Sequence, residues 1–319
     1  MFTTRSAVSV LSVVMMVLGA SVASGQNFPT KPIRIYTGSP GGSNDSASRL
    51  VASGITGPLG QPVVIENRGA TLLAAESVAK APPDGYSLVL AGDVLWLGPL
   101  LKGQTDAMRD FAPISILASA PNILTVHPSL PVKSVKELIA LAKARPGELN
   151  YSSGQPGGVD HLSAELFKTI TGSKMVQITF KGAAGAAISL AGGEVQVMFG
   201  GAALSSPYIK AGKFRALAVT SAQPSALAAG LPTLAASGLP GFELVGIDHI
   251  FTTAKTPVAV VNRLNEEIVR FLRTKEAQEK YLNLGAEVIA SSPEEHVDKL
   301  NSRITVIGKV IRDAGIKVD

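Results

Sequence analysis

The sequence predicts an α/β protein of two lobes joined by two crossing strands around a ligand cleft, on three observations. Apolar strand-like runs alternate with helical runs along the chain, the pattern of a largely parallel sheet covered by helices. A glycine turn occurs twice, as Pro40-Gly41-Gly42-Ser43-Asn44-Asp45 and Pro156-Gly157-Gly158-Val159-Asp160, each between a strand and a helix. Two extended runs, 120–128 and 241–253, read as crossings of a chain that leaves one lobe and returns. The 319 residues are enough for two cores, and 46% hydrophobic against 17% charged residues describes a globular chain.

The elements follow in order. Arg5, the mostly apolar run 7–22 and the small residues Ala23, Ser24 and Gly25 read as a signal peptide over 1–25. The apolar stretch is short for a bilayer span of about 20 residues, so the mature chain is expected in the periplasm. Strands are expected at 33–36, 63–66, 87–91, 123–126, 150–152, 177–179, 195–199, 217–220, 249–252 and 287–290, with helices between most of them. Ser134 and Glu137 form a capping box for a helix that Arg145-Pro146-Gly147 ends. Thr256-Pro257 opens another, with Val260, Val261, Leu264, Ile268 and Phe271 on one face. Ser292, Pro293 and Glu295 cap the last long helix. The crossings divide the mature chain into one lobe of 26–121 plus 250–319 and a second of 122–249.

The two turns carry the chemistry. Glycines let the backbone reverse and bare its N–H groups, and the helix that follows adds the positive end of its dipole. A turn of this kind is an anion site when it faces a ligand and a plain strand-to-helix turn when it does not. Two of them facing one cleft point to a carboxylate held between lobes.

Other candidates carry two readings each. Asp93 and Trp96 follow the strand 87–91, at the end where open parallel sheets take ligands. Trp96 either stacks on the ligand or fills the core. His161 either donates to the ligand or braces its loop, and Lys181 either neutralises a carboxylate or is an ordinary exposed lysine. Asp248 either fixes the second crossing or meets the ligand.

Composition and motif absences exclude several classes. There is no cysteine, which excludes disulfides, thiol catalysis and a lipid-modified N-terminal cysteine. The net charge is +5, but the basic residues are scattered without interleaved aromatics, which argues against nucleic acid. His127, His161, His249 and His296 lack metal-ligand spacing, and no nucleophile elbow, dinucleotide fingerprint or Walker loop occurs. Neither catalysis nor a cofactor or metal is therefore expected. The competing class, an exported hydrolase, has only Ser43, Asp45 and His161 as a constellation.

A series of motifs then bears on family. Besides the first turn it includes Gly60-Gln61-Pro62-Val63-Val64-Ile65-Glu66-Asn67-Arg68, Pro83-Asp84-Gly85-Tyr86, Asp110-Phe111-Ala112-Pro113-Ile114 and Lys181-Gly182-Ala183. Lys143-Ala144-Arg145-Pro146-Gly147, Ala211-Gly212-Lys213-Phe214-Arg215-Ala216-Leu217-Ala218-Val219-Thr220-Ser221 and Leu284-Gly285-Ala286-Glu287 follow in order. The series resembles the Bug family, the TctC-type extracytoplasmic solute receptors of tripartite tricarboxylate transporters, through essentially the whole mature chain.

The resemblance implies a periplasmic-binding-protein fold of type II character, closing on an organic acid for membrane permease subunits, with the receptor itself a monomer. A ligand sensor serving a signalling partner is the alternative non-enzyme reading. In the family a carboxylate is gripped by backbone N–H groups and small polar side chains of two loops. Those loops match Ser39 to Ser43 here, with Ser39, Gly41, Gly42 and Ser43 as candidates, and Ser152 to His161, with Ser153, Gly154, Gln155, Gly157, Gly158 and His161; Asp45, at the end of the first turn, is a further candidate. The chain departs from the family pattern at Thr37-Gly38-Ser39, at 69–73, at Phe180 and at Gly200-Gly201, which stand where an acidic residue is frequent. Missing side chains at Gly200 and Gly201 are expected to leave room for a bulky or aromatic distal end and to remove a partner for an amine.

Overall fold

The computed structural model describes residues 28–101, 108–154 and 157–316; the expected signal peptide and Gln155 lie outside them. Strand alternation builds the first sheet. On β1 (Ile33–Thr37), Ile33 and Ile35 enter one core with Leu88 and Leu90 of β3 (Ser87–Ala91). Tyr36, Val89 and Ala91 enter another on the opposite face. A sheet buried on both faces needs helices on both, as parallel sheets do. Its parallel partner β2 (Val63–Asn67) pairs with the other edge of β1.

The strand that organises the molecule is β4 (Phe111–Val126), of 16 residues. Through 111–121 it pairs antiparallel with β9 (Val245–Thr253), which in turn pairs with β3. Through 122–126 it pairs antiparallel with β7 (Val197–Gly201) and β8 (Arg215–Val219). Parallel β5 (Asn150–Ser153) and β6 (Val176–Thr179) extend that second sheet beyond β7, and the short β10 (Glu287–Val288) pairs with β4. The path reads β2-β1-β3-β9-β4-β7-β5-β6, with β8 and β10 set off it on β4. The passage between sheets falls between Pro121, which pairs with Val245, and Asn122, which pairs with Gly201.

The expected strands are all present, and the differences have local causes. Only 123–126 was expected as a strand within β4; the strand starts earlier, at Phe111, and takes in Pro113 and Pro121. The ladder tolerates Pro113 by a register shift between Pro113 and Ser115. At β7 the strand runs on through Gly200 and Gly201, so these glycines are strand residues rather than a loop after it.

The helices are α1 (Ser43–Leu59), α2 (Thr71–Ala79), α3 (Val94–Leu101), α4 (Val135–Ala144) and α5 (Val159–Thr171). After them come α6 (Ala183–Ala191), α7 (Ala202–Lys210), α8 (Val258–Leu272), α9 (Lys275–Asn283) and α10 (Pro293–Ala314). The Ser292–Glu295 box is complete, with both hydrogen bonds formed. At α4 only half of it exists: Ser134 caps Glu137, but the Glu137 carboxylate accepts from the Lys133 N–H instead. On α8 Val260, Val261, Leu264 and Ile268 are buried as expected, each worth about 1.5–3 kcal/mol if fully transferred from water. Phe271 packs on α1 so closely that a Cβ at Gly54 would lie 2.1 Å from its ring. Leu300, Ile307, Val310 and Ile311 of α10 join a core containing Trp96 and Phe251 beside the first sheet and Phe167 and Phe199 beside the second. The last helix thus ties the two sheets together. Among the described residues no helix is long and apolar enough to cross a membrane.

Candidate functional site

The first glycine turn is held from behind. Gly41 sits at φ +77°, a left-handed backbone that glycine adopts without strain, and its N–H donates to Asp45 Oδ2 at 2.9 Å. Asp45 is buried and also accepts from Arg49 Nε at 3.1 Å and Asn67 Nδ2 at 2.9 Å. The Arg49 hydrogen bond, joined by those of Asn67 and Gly41, overrides burial and holds this carboxyl down to about 2. The Ser39 hydroxyl donates to the Gly69 carbonyl. Gly42 caps α1 with extended backbone and no side-chain hydrogen bond, so the first N–H groups of the helix lack an internal partner.

The second turn repeats the device. Gly157 has φ +79°, and its N–H donates to His161 Nδ1 at 3.0 Å, again four residues on. Gly154 donates its N–H to the Asp160 carboxylate. Gly158 caps α5 with extended backbone and no side-chain bond. Because Nδ1 of His161 accepts a backbone N–H, the neutral ring carries its proton on Nε2. Burial lowers the His161 pKa, against the opposing pull of Glu165 and Asp160. The ring stacks on Tyr151, whose hydroxyl bonds Glu165 Oε1 at 2.5 Å.

Both helix starts line one cavity of about 250 Å³: Ser43 and Asn44 from α1, and Val159 from α5. Other walls come from Gly92 and Asp93 after β3, from Gly246, Ile247 and Asp248 of β9, and from Tyr281, Leu284 and Ala286. No lysine, arginine or histidine is among its lining residues.

The two acids there differ. Asp93 is buried and saturated: Oδ1 accepts from Trp96 Nε1 at 3.1 Å and meets His249 Nε2 at 3.2 Å, while Arg303 Nη2 donates to Oδ2 at 2.7 Å. Burial opposes its charge, yet Arg303 and His249 keep its pKa below the usual carboxylate value. His249 Nδ1 lies 2.8 Å from His296 Nε2, and burial, seconded by His249, pushes His296 down to about 2. Asp248 keeps an open edge toward the cavity and has no hydrogen-bond donor or cation partner among the described residues. Burial, with the charge of Asp93, raises it to about 6.

Of the expected contacts, Ser43 and Asp93 line the cavity. Ser39, Gly41 and Gly42 lie exposed on the first turn, and Asp45 and His161 brace their turns from within. Gly154, Gly157 and Gly158 belong to the second turn, and Ser153 behind it accepts from Gln177 Nε2 at 2.8 Å. Trp96 is fully buried, donates to Asp93 and is not among the cavity's lining residues, which fits the core reading. Lys181 is exposed, away from the cavity's lining. Gly200 opens no space, because a Cβ there would lie 2.3 Å from Met198 Cε and 2.7 Å from Ser205 Oγ; at Gly201 the nearest atom is 4.0 Å away, on Asn122. The acid missing at those glycines is also not missing from the cavity, since Asp248 supplies one. Sequence reasoning passed over Asn44, Tyr281, Leu284 and Ala286; the Leu284-Gly285-Ala286-Glu287 motif was the available signal for the last two. Among the described residues no group of three potential ligands stands ready for a metal.

Residues 47–316 match the family described as Tripartite tricarboxylate transporter family receptor. Protein BugT of Bordetella pertussis is 30% identical over 309 residues, covering 94% of either chain. A solved R. palustris protein with adipate is 34% identical with a TM-score of 0.73, over 91% of this chain and 99% of that one. MatC from Rhodopseudomonas palustris with bound malate is 25% identical with a TM-score of 0.69, over 89% and 100%.

Proposed function

The chain belongs to the tripartite tricarboxylate transporter receptor family, and from that premise we propose that it captures a small organic carboxylate in the periplasm and delivers it to membrane permease subunits. The family's members are solute-binding receptors, so the chain is a receptor and not an enzyme. The observation that carries the carboxylate reading is the convergence of two uncapped helix starts, at Ser43 and Val159, on one cavity. Backbone N–H groups and helix dipoles there offer charge-assisted bonds of about 1.5–3 kcal/mol each without a cationic side chain. The adipate and malate held by the two R. palustris relatives support the same class.

The ligand's carbon chain lies against Ala47, Ala120, Ile247 and Leu284. The moving units are the lobe of the first sheet, which holds the whole of β9 from Val245 on against 111–121, and the lobe of the second sheet, turning about the passage of β4 near Pro121. A ligand that touches both helix starts binds the closed state better than the open one, and only such a difference shifts the balance. The receptor acts as a monomer.

A thermal-shift screen of the mature protein against mono-, di- and tricarboxylates, aromatic acids and amino acids tests this. Binding at a hundredfold excess over Kd adds about 2.7 kcal/mol of stability. A rise in Tm with one acid class supports the receptor; no rise with any, on folded protein, contradicts the carboxylate reading.

A further inference from the structure

Asp248 and Tyr281 are polar groups of the cavity that no described residue satisfies, as are the side chains of Ser43 and Asn44 at its first helix start. Tyr281 is fully buried and its hydroxyl has no hydrogen-bond partner, although it borders the same space as Asp248. Asp248 receives no bond from any described residue, and the basic groups around Asp93 are turned to other partners: Arg303 binds Asp93 and the Val245 carbonyl at 2.7 and 2.8 Å, and the His249 ring, which burial keeps neutral, faces Asp93 and His296. Buried polar groups are ordinarily satisfied, and those left open in a binding cavity are matched by the ligand.

We infer that the cavity selects a monocarboxylate bearing a hydrogen-bond donor, a hydroxyl or an ammonium group, that is received by Asp248 with Tyr281 beside it, and that it discriminates against dicarboxylates. This rests on the carboxylate reading above and deepens it. The cavity's lining includes the helix starts at Ser43, Asn44 and Val159, whose N–H groups suit an anion. The same lining carries the Asp248 carboxyl, with no cation acting on it among the described residues, so a second carboxylate beside it meets like charge, and a donor meets an acceptor. The groups that act electrically on Asp248 are Asp93, which disfavours its charge, and Tyr281, whose hydroxyl burial keeps neutral.

The test is calorimetric titration of the mature protein at pH 7.5 with matched four-carbon acids: butanoate, its 2-, 3- and 4-hydroxy and amino derivatives, and succinate. The inference predicts that at least one donor-bearing acid binds tenfold or more tighter than butanoate and succinate, and that Asp248→Asn removes most of that advantage while improving succinate. Tyr281→Phe serves as a second variant, weakening the same acid severalfold. An ammonium donor shows an advantage that shrinks with added salt and below pH 6, whereas a hydroxyl donor keeps it. Tight binding of succinate with no effect of Asp248→Asn overturns this inference and leaves the carboxylate reading standing. Absence of binding by every acid overturns both.

Discussion

The N–H of Gly157 donates to Nδ1 of His161 at 3.0 Å, and 2.9 Å separates the equivalent pair, Gly41 N–H and Asp45 Oδ2, in the other half of the molecule. Two unlike side chains, an imidazole and a carboxylate, do one job at one spacing. Each fixes a positive-φ glycine so that the N–H groups after it stay aimed at the cavity, which places His161 and Asp45 in loop support.

His161→Ala leaves the Gly157 N–H without its acceptor. The expected result is a folded protein whose ligand Kd rises roughly tenfold, the equivalent of about 1.4 kcal/mol and within the range for one hydrogen bond. Calorimetry against the best acid measures it. His161→Asn, which keeps an acceptor near that position, restores part of the loss.

Stability falls as the pH drops below about 6.5. His161, His249 and His296 all have pKa values lowered by burial, so the folded state binds fewer protons than the unfolded one. The contribution of each is complete above the unfolded value and is lost progressively beneath it. Asp248, raised to about 6, acts in the opposite sense but is a single group against three. Tm measured from pH 8 to pH 5 is expected to decline; a flat or rising Tm would show that the histidines are charged in the fold.

Asp93→Ala is expected to destabilise the fold by roughly 3–5 kcal/mol, because it strands Arg303 and His249 without their shared anion. Urea unfolding gives the value. A variant that keeps wild-type stability and loses only ligand would reassign Asp93 from support to direct contact.

Two glycines of α1 should respond oppositely to alanine. At Gly54 the new Cβ overlaps the Phe271 ring, which predicts a loss of about 1–3 kcal/mol. At Gly57 nothing lies within 4 Å, which predicts a gain of up to about 1 kcal/mol from helix propensity. Paired denaturant curves check both.

The strands were legible because their apolar runs are bounded by turn residues, and the convergence of the two turns was legible because one pattern occurs twice. What stayed hidden depends on orientation. The sequence shows Trp96 beside Asp93 but not that the indole turns inward to donate to it. Gly200 looks like empty space until Ser205 of α7 is found against it. The long β4 was hidden by its prolines: Pro113 falls at a register shift, and Pro121 pairs with Val245 where the strand passes between sheets. Tyr281 lies far from both turns in sequence, and only the packing of α9 brings it to their cavity.

The most direct test of the central claim is a titration of nitrogen-15-labelled protein with the best-binding acid, following the backbone amides of Ser43, Asn44, Val159 and Asp160. The account predicts that amides of both helix starts shift together and saturate at one Kd. Shifts confined to one turn, or absent from both while the acid binds elsewhere, would contradict a carboxylate held between them.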